Sequence, residues 1–255
     1  MAQTLRQTEI LDLARQSGQV SVEALADRFG VSLQTIRRDL GGLADAGELE
    51  RVHGGAVLRA GLRNIGYEER RRLNAPEKRA IAKACVAKIP PGASVFLNIG
   101  TTTEAVAQAL VTHSPLLAVT NNLNVANVLA GNPACEIIVA GGTLRRSDGG
   151  LVGPLAQRAV GQFKVDVAVI GCSALDRTGD LLDYDLQEIA VSQTIITQAR
   201  QVFLVADHSK FQRAAPARIA SLEQIDRVFT DRAMPPETAE RCAAWQTDVE
   251  ICAPV

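Results

Sequence analysis

Ser32-Leu33-Gln34-Thr35-Ile36-Arg37-Arg38-Asp39-Leu40 reads as the start of a helix with two chemically opposite faces. Ser32 is a residue type that caps helix N-termini, its side-chain oxygen accepting from an N–H two or three residues on. Ile36, Leu40 and Leu43 fall at i, i+4 and i+7, so they share one face, and that face is expected to be buried. Gln34 and Arg38 lie roughly opposite, flanked by Thr35 and Arg37. The exposed face is therefore polar, planar and cationic. A guanidinium suits guanine, an amide suits adenine and a hydroxyl suits a phosphate, so this face is a candidate for reading duplex DNA in the major groove.

The flanking sequence extends the unit in both directions. Ile10, Leu11, Leu13 and Ala14 predict a helix from about Leu5 to Gln16, which Gly18 ends. Ser21 is placed to cap a second helix containing Leu25, Ala26 and Phe29, and Gly30-Val31-Ser32 is the short turn of a helix-turn-helix. Beyond Gly47, Glu48-Leu49-Glu50-Arg51-Val52 pairs with Val57-Leu58-Arg59 across His53-Gly54-Gly55-Ala56, a hairpin that would form a wing. Residues 1–50 carry 5 basic and 8 acidic side chains, whereas residues 51–72 carry 6 and 2. Positive charge is thus confined to the third helix, the wing and the segment after it. A protein-interaction helical hairpin, with Arg37-Arg38 a merely solvated face, is the competing reading of the spacing alone.

Composition bounds the rest. In 255 residues, 27 basic and 28 acidic side chains nearly cancel, so any affinity for nucleic acid must be local. The hydrophobic fraction of 47% with only 4% aromatics describes a globular protein with an aliphatic core, and excludes disorder and collagen-like repeats. Five scattered cysteines (Cys85, Cys135, Cys172, Cys242, Cys252) form no C-x-x-C pair, and three scattered histidines (His53, His113, His208) suggest no metal site. The cysteines read as small core residues of a reducing compartment. With no secretory signal pattern and no long uncharged apolar run, the expectation is a cytoplasmic protein without a membrane partner.

From about residue 75 the pattern changes to an α/β one. Val95-Phe96-Leu97, Leu116-Leu117-Ala118-Val119, Ile137-Ile138-Val139-Ala140, Val165 to Ile170 and Val202-Phe203-Leu204-Val205 are aliphatic runs separated by helical stretches. They predict a doubly wound parallel sheet buried on both faces. The expected organisation is residues 1–58 as a winged helix-turn-helix, 59–74 as a partly helical linker and 75–255 as the α/β domain.

Several polar turns follow those strands. Asn98-Ile99-Gly100-Thr101-Thr102-Thr103 offers backbone N–H groups, hydroxyls and a helix N-terminus, which suit a phosphate, although a capped βα turn of polar residues explains it equally well. Thr120-Asn121-Asn122, Gly141-Gly142-Thr143-Leu144-Arg145 and Asp207-His208-Ser209-Lys210 end other strands, and such ends converge on the ligand crevice of an open α/β sheet. Lys210 is the candidate to neutralise a phosphate, or else a surface lysine. No Walker loop and no G-x-G-x-x-G is present, adjacent Asp207, His208 and Ser209 cannot form a hydrolase triad, and no cofactor is expected.

The run Ser32 to Leu40, followed by Arg51-Val52-His53-Gly54-Gly55-Ala56, resembles the signature of DeoR-family transcriptional regulators, and the resemblance covers essentially the whole chain. It implies that Ser32, Gln34, Thr35, Arg37 and Arg38 approach the groove and that Arg51, His53, Gly54 and Gly55 approach the DNA backbone. It also implies that the α/β half is an effector-sensing domain similar in fold to phosphosugar isomerases. A pocket of Asn98, Gly100 to Thr103, Asn121, Asn122, Gly141, Gly142, Arg145 and Lys210 would take glycerol 3-phosphate or a close phosphorylated polyol or sugar. The implied activity is operator binding by a homo-oligomeric repressor, dimer or tetramer, that the effector releases. Two positions depart from the family pattern: Asn98 replaces an expected Asp, and Ser192 an expected Lys. The alternatives are a phosphosugar isomerase or deaminase with a helical appendage, and a protein-interaction adaptor. Asp166, Asp183, Asp185 and Glu188 are acid/base candidates for an isomerase, each more simply a cap or surface carboxylate, and they form no convincing acid/base pair, so no enzyme is expected.

Overall fold

In the computed structural model, residues 5–17, 19–46, 48–52, 54–58 and 66–254 are described. They fall into two compact units, Met1–Gly61 and Leu62–Val255. Gly18, Gly47, His53 and residues 59–65, to which the sequence reading gave a helix stop, a turn, a wing contact and part of a linker, lie outside the described residues.

The small unit consists of α1 (Leu5–Ser17), β1 (Gln19–Ser21), α2 (Val22–Phe29), α3 (Leu33–Asp45), β2 (Leu49–Val52) and β3 (Gly55–Leu58). Ser21 accepts from the N–H of Ala24 to start α2, and Gly30, at φ 61, closes it by donating to the Ala26 carbonyl. That left-handed turn is where glycine costs least. Ile36, Leu40 and Leu43 on α3 pack with Ile10, Leu11, Ala14, Leu25, Ala26, Leu49 and Ala56 into a core of their own. Each large aliphatic side chain buried there stabilises by about 1.5–3 kcal/mol relative to exposure. Arg6 on α1 is ion-paired through Nε to Asp39 on α3 at 2.6 Å.

The hairpin β2–β3 is antiparallel, and β1 adds to it in the order β1-β3-β2. Three residues are too few to show a strand period, which is why β1 escaped the sequence reading. Gly55 permits the pairing. A Cβ there would lie 2.1 Å from the Val20 carbonyl oxygen, inside any allowed contact.

The large unit opens with α4 (Tyr67–Arg72) and α5 (Ala75–Ala87), then builds a seven-stranded sheet. Its strands are β4 (Ser94–Leu97), β5 (Leu116–Thr120), β6 (Cys135–Val139), β9 (Val165–Ile170), β12 (Ala199–Val205), β14 (Arg227–Thr230) and β15 (Asp248–Ile251). All pairings are parallel, in the order β15-β14-β12-β9-β4-β5-β6. Between them come α6 (Thr101–Leu110), α7 (Leu123–Leu129), α8 (Pro154–Val160), α9 (Leu186–Thr197) and α10 (Pro236–Trp245). Successive residues of β4 point to opposite faces. Val95 and Leu97 pack with Ile81, Val106, Leu110 and Leu129 of α5 to α7, while Phe96 packs with Val160, Ile189 and Ile195 of α8 and α9. Both faces are covered, as a parallel sheet requires.

Two small additions lie outside that sheet: the hairpin of β7 (Thr143–Arg145) with β8 (Gly150–Val152), and the antiparallel trio of β10 (Ala174–Leu175), β11 (Asp180–Asp183) and β13 (Ala217–Ser221). The sequence reading named neither, nor β14 and β15. It also placed residues 66–74 in a linker. Instead Tyr67 donates to both carboxylate oxygens of Glu104 at 3.0 and 2.8 Å, and Asn74 donates to Asp207 at 2.8 Å, so these residues are built into the large unit. Among the described residues no helix is long and apolar enough to cross a membrane.

The strand order fixes where a ligand could sit. From β4 the chain steps outward to β5 and β6, then returns to β9 on the other side of β4 and steps away to β12 and β14. The β4–β9 junction is therefore the topological switch point, and the crevice of such sheets opens at the carboxyl ends of those two strands.

Candidate functional site

On the small unit, α3 presents Gln34, Arg37 and Arg38 to solvent, opposite buried Ile36 and Leu40. Ser32 accepts from the Thr35 N–H at 3.2 Å, and the two hydroxyls lie 2.9 Å apart. Both side chains thus fix the first turn of α3 and the direction of the cationic face. Arg51 is exposed on β2 and Gly54 at the hairpin turn, but Gly55 is buried against β1. Its role is steric: it lets the wing close.

On the large unit, a cleft open to solvent lies at the switch point. One wall is Gly100 with Thr101, Thr102 and Thr103. Helix α6 starts at Thr101 with Gly100 as its cap residue and no side chain capping it, so its first N–H groups lack helical acceptors and favour an anion. Gly100 sits at φ 149, a conformation other residues rarely adopt. Thr103 Oγ1 lies 2.8 Å from the Asn98 carbonyl and 2.6 Å from that of Gly100, so its proton closes the turn. Cationic Lys210 and Arg70 line the same cavity, as do the carboxylates Asp183 and Glu188.

These charges perturb one another. Burial, then repulsion from Arg213, lowers the Lys210 pKa against the pull of Asp207. Burial likewise brings Lys78 down to about 8, although Asp207 opposes it. Burial alone would raise Asp207, but Lys210, Ser209, Lys78 and Asn74 hold it down at about 2. Three cations, Lys78, Lys210 and Arg213, thus interact with the Asp207 carboxylate, while Arg70 lies against Asp148. On the acid side, burial and the nearby Asp183 push Glu188 up to about 7, against Arg145.

The cavity gathers only part of the sequence-derived set: Gly100, Thr101, Thr102, Thr103 and Lys210 line it, and the remaining candidates do not. Asn98 is buried, accepting from the Ile99 N–H at 2.7 Å and donating to Ser192 Oγ at 2.8 Å, so it shapes the loop from behind. Asn121 donates to the Leu151 carbonyl, and Asn122 caps α7 by accepting from Asn124 at 2.8 Å. Gly142 packs against α8, where a Cβ would lie 2.8 Å from that of Ala156, and neighbouring Gly141 is exposed. Arg145 is committed to Asp148, Asp185 and Glu188. Polar groups at strand ends here mostly satisfy the turns themselves. Conversely, Arg70, from a charge run that reads as linker, and Asp183 and Glu188, which read as caps or surface groups, line the cavity.

Known protein families agree with this architecture. Residues 6–60 match the DeoR-like helix-turn-helix domain, and residues 73–232 match the DeoR C-terminal sensor domain. The chain belongs to the DeoR family. It is 42% identical over 252 residues, 99% of this chain and 100% of the relative, to the glycerol-3-phosphate regulon repressor of Escherichia coli K12. The protein of the same name from Haemophilus influenzae is 45% identical over 230 residues, 90% of each chain. A ribose 5-phosphate isomerase from Methanocaldococcus jannaschii is a remote likeness, with 14% identity, a TM-score of 0.41 and coverage of 54% of this chain and 55% of that one. As a DeoR-family member the protein carries its DNA-binding helix-turn-helix on α2 and α3 and its sensor domain on the seven-stranded sheet.

Proposed function

We propose that the protein represses genes of carbon metabolism as a homo-oligomer, dimer or tetramer, binding duplex operator DNA through α3 and the β2–β3 wing. A phosphorylated polyol or sugar, with glycerol 3-phosphate the leading candidate, enters the switch-point cavity and releases it. One observation carries the effector class. The cavity pairs an anion-binding wall, Gly100 to Thr103 with Lys210 and Arg70, with a carboxylate wall, Asp183 and Glu188, that can accept from hydroxyls. A phosphate ester bearing free hydroxyls satisfies both walls. The names of the full-length relatives supply the particular ester. Release requires that the effector bind the DNA-free form more tightly, a coupling of typically about 1–3 kcal/mol that must be reciprocal.

An isomerase reading is not favoured, because the two relatives described above, which match at least nine-tenths of the chain, are named repressors. The deciding experiment is footprinting of the purified full chain on the DNA upstream of its own gene, with and without millimolar glycerol 3-phosphate and a panel of sugar phosphates. Sequence-specific protection that one of these esters abolishes is expected. No specific protection, or protection indifferent to every ester, contradicts the proposal, as does turnover of any panel member.

A further inference from the structure

In the run Glu68-Glu69-Arg70-Arg71-Arg72 the other four side chains are exposed, whereas that of Arg70 is only 18% exposed and lines the switch-point cavity. Its Nε is buried without a hydrogen-bond partner. Its nearest carboxylate oxygen, Asp148 Oδ2, is 3.6 Å from a terminal guanidinium nitrogen and already accepts from Arg145 at 2.7 Å. A buried guanidinium is therefore held by an acid whose hydrogen-bonding is largely satisfied elsewhere. The backbone of the same residue also touches the anion-binding wall: the Arg70 carbonyl accepts from Lys78 Nζ and from Thr101 Oγ1 at 3.4 Å.

We infer that Arg70 is a ligand of the effector phosphate, and that binding exchanges its Asp148 contact for the phosphate and so shifts α4. The inference rests on the effector reading above and adds the residue that reports occupancy. Guanidinium and phosphate form paired, charge-assisted hydrogen bonds that a 3.6 Å ion pair does not match. Once Thr101 turns its hydroxyl to the phosphate it also releases the Arg70 carbonyl, so a bound phosphate competes for both ends of one residue. Helix α4 is the first described element after the wing in sequence, so the full chain is needed to read whether its shift reaches operator affinity.

The test uses the full chain and its Arg70→Gln, Arg70→Lys and Asp148→Asn variants. Calorimetry with glycerol 3-phosphate gives affinity, and the ratio of operator Kd with saturating effector to that without gives release. Arg70→Gln should bind the effector at least about tenfold more weakly and show a release ratio near one even at saturation. Arg70→Lys keeps the charge without the planar fork, so it should regain affinity but only part of the release. Asp148→Asn removes the competing acid and should bind more tightly than the parent. If the parent binds and releases while Arg70→Gln at saturation releases equally, or Asp148→Asn binds no more tightly, the inference alone is overturned. If the parent itself neither binds nor responds, the effector reading falls and takes the inference with it.

Discussion

Asn98 Nδ2 donates to Ser192 Oγ at 2.8 Å, and each residue is 1% exposed. These are the two positions at which family resemblance led to an expected Asp and Lys. They are far apart in sequence yet touch, so a neutral hydrogen bond stands where the family resemblance implies a charged pair. Restoring either charge alone buries it uncompensated. Asn98→Asp and Ser192→Lys should each destabilise the large unit by about 3–5 kcal/mol, and the double substitution should recover much of the loss. Urea denaturation of the four proteins measures the coupling, and additive losses would refute the pairing.

At the wing, Gly55→Ala drives a methyl group into the Val20 carbonyl, a backbone atom that cannot step aside cheaply. The cost should be about 3 kcal/mol or more, confined to the small unit. Thermal unfolding followed by proteolysis should show the small unit opening earlier while the large unit keeps its transition, and operator binding should fail. Unchanged wing stability would mean that β1 does not pair with β3 as described.

For α3, Arg38→Ala should cost about 1–3 kcal/mol of operator affinity and relax base preference at the position it reads. The parent should lose affinity with salt at a slope of about −0.9 per phosphate neutralised. Gel shifts over a salt series, on operator and scrambled duplex, separate the two effects. An intact preference in the variant would move the reading surface elsewhere.

Glu188 supplies a pH dependence with a definite sign. Burial and Asp183 raise its pKa to about 7 from 4.5, so the folded state holds this proton more tightly than the unfolded chain. Its contribution to stability is full below about 4.5, declines as pH rises from about 4.5 to about 7, and is lost above. Glu188→Gln removes that slope. The variant should therefore gain Tm relative to the parent between pH 5 and pH 8, and parallel Tm profiles across that range would contradict the shift.

Elements with a long period or a strong cap were legible in the sequence. The register of Ile36, Leu40 and Leu43, the Ser21 and Ser32 caps and five of the seven strands of the main sheet could be read because burial imposes repetition on them. The strands β1, β7, β8 and β10, of two or three residues, could not, being too short to repeat. The cavity was legible where backbone chemistry is written locally, as in Gly100 to Thr103. It was opaque at Arg70, whose neighbours are equally charged and whose burial is set by Asp148, Lys78 and Thr101, all contacts beyond its own helix. Asn122 and Arg145 misled for a related reason. A residue type that could hold a ligand is the same type that holds a turn.

The twelve buried apolar side chains of the small unit, Ile10 to Ala56, include none that belong to the two clusters flanking the large sheet. Among the described residues, then, each unit's interior is self-contained. Such a chain is open to recombination. A gene encoding one reading head can be joined to another sensor, or a sensor retuned, without a compensating change across a shared interior. Duplication followed by exchange of heads would give new regulatory wiring in a single step, and grafting residues 1–58 onto a relative's sensor is the corresponding route to an engineered switch.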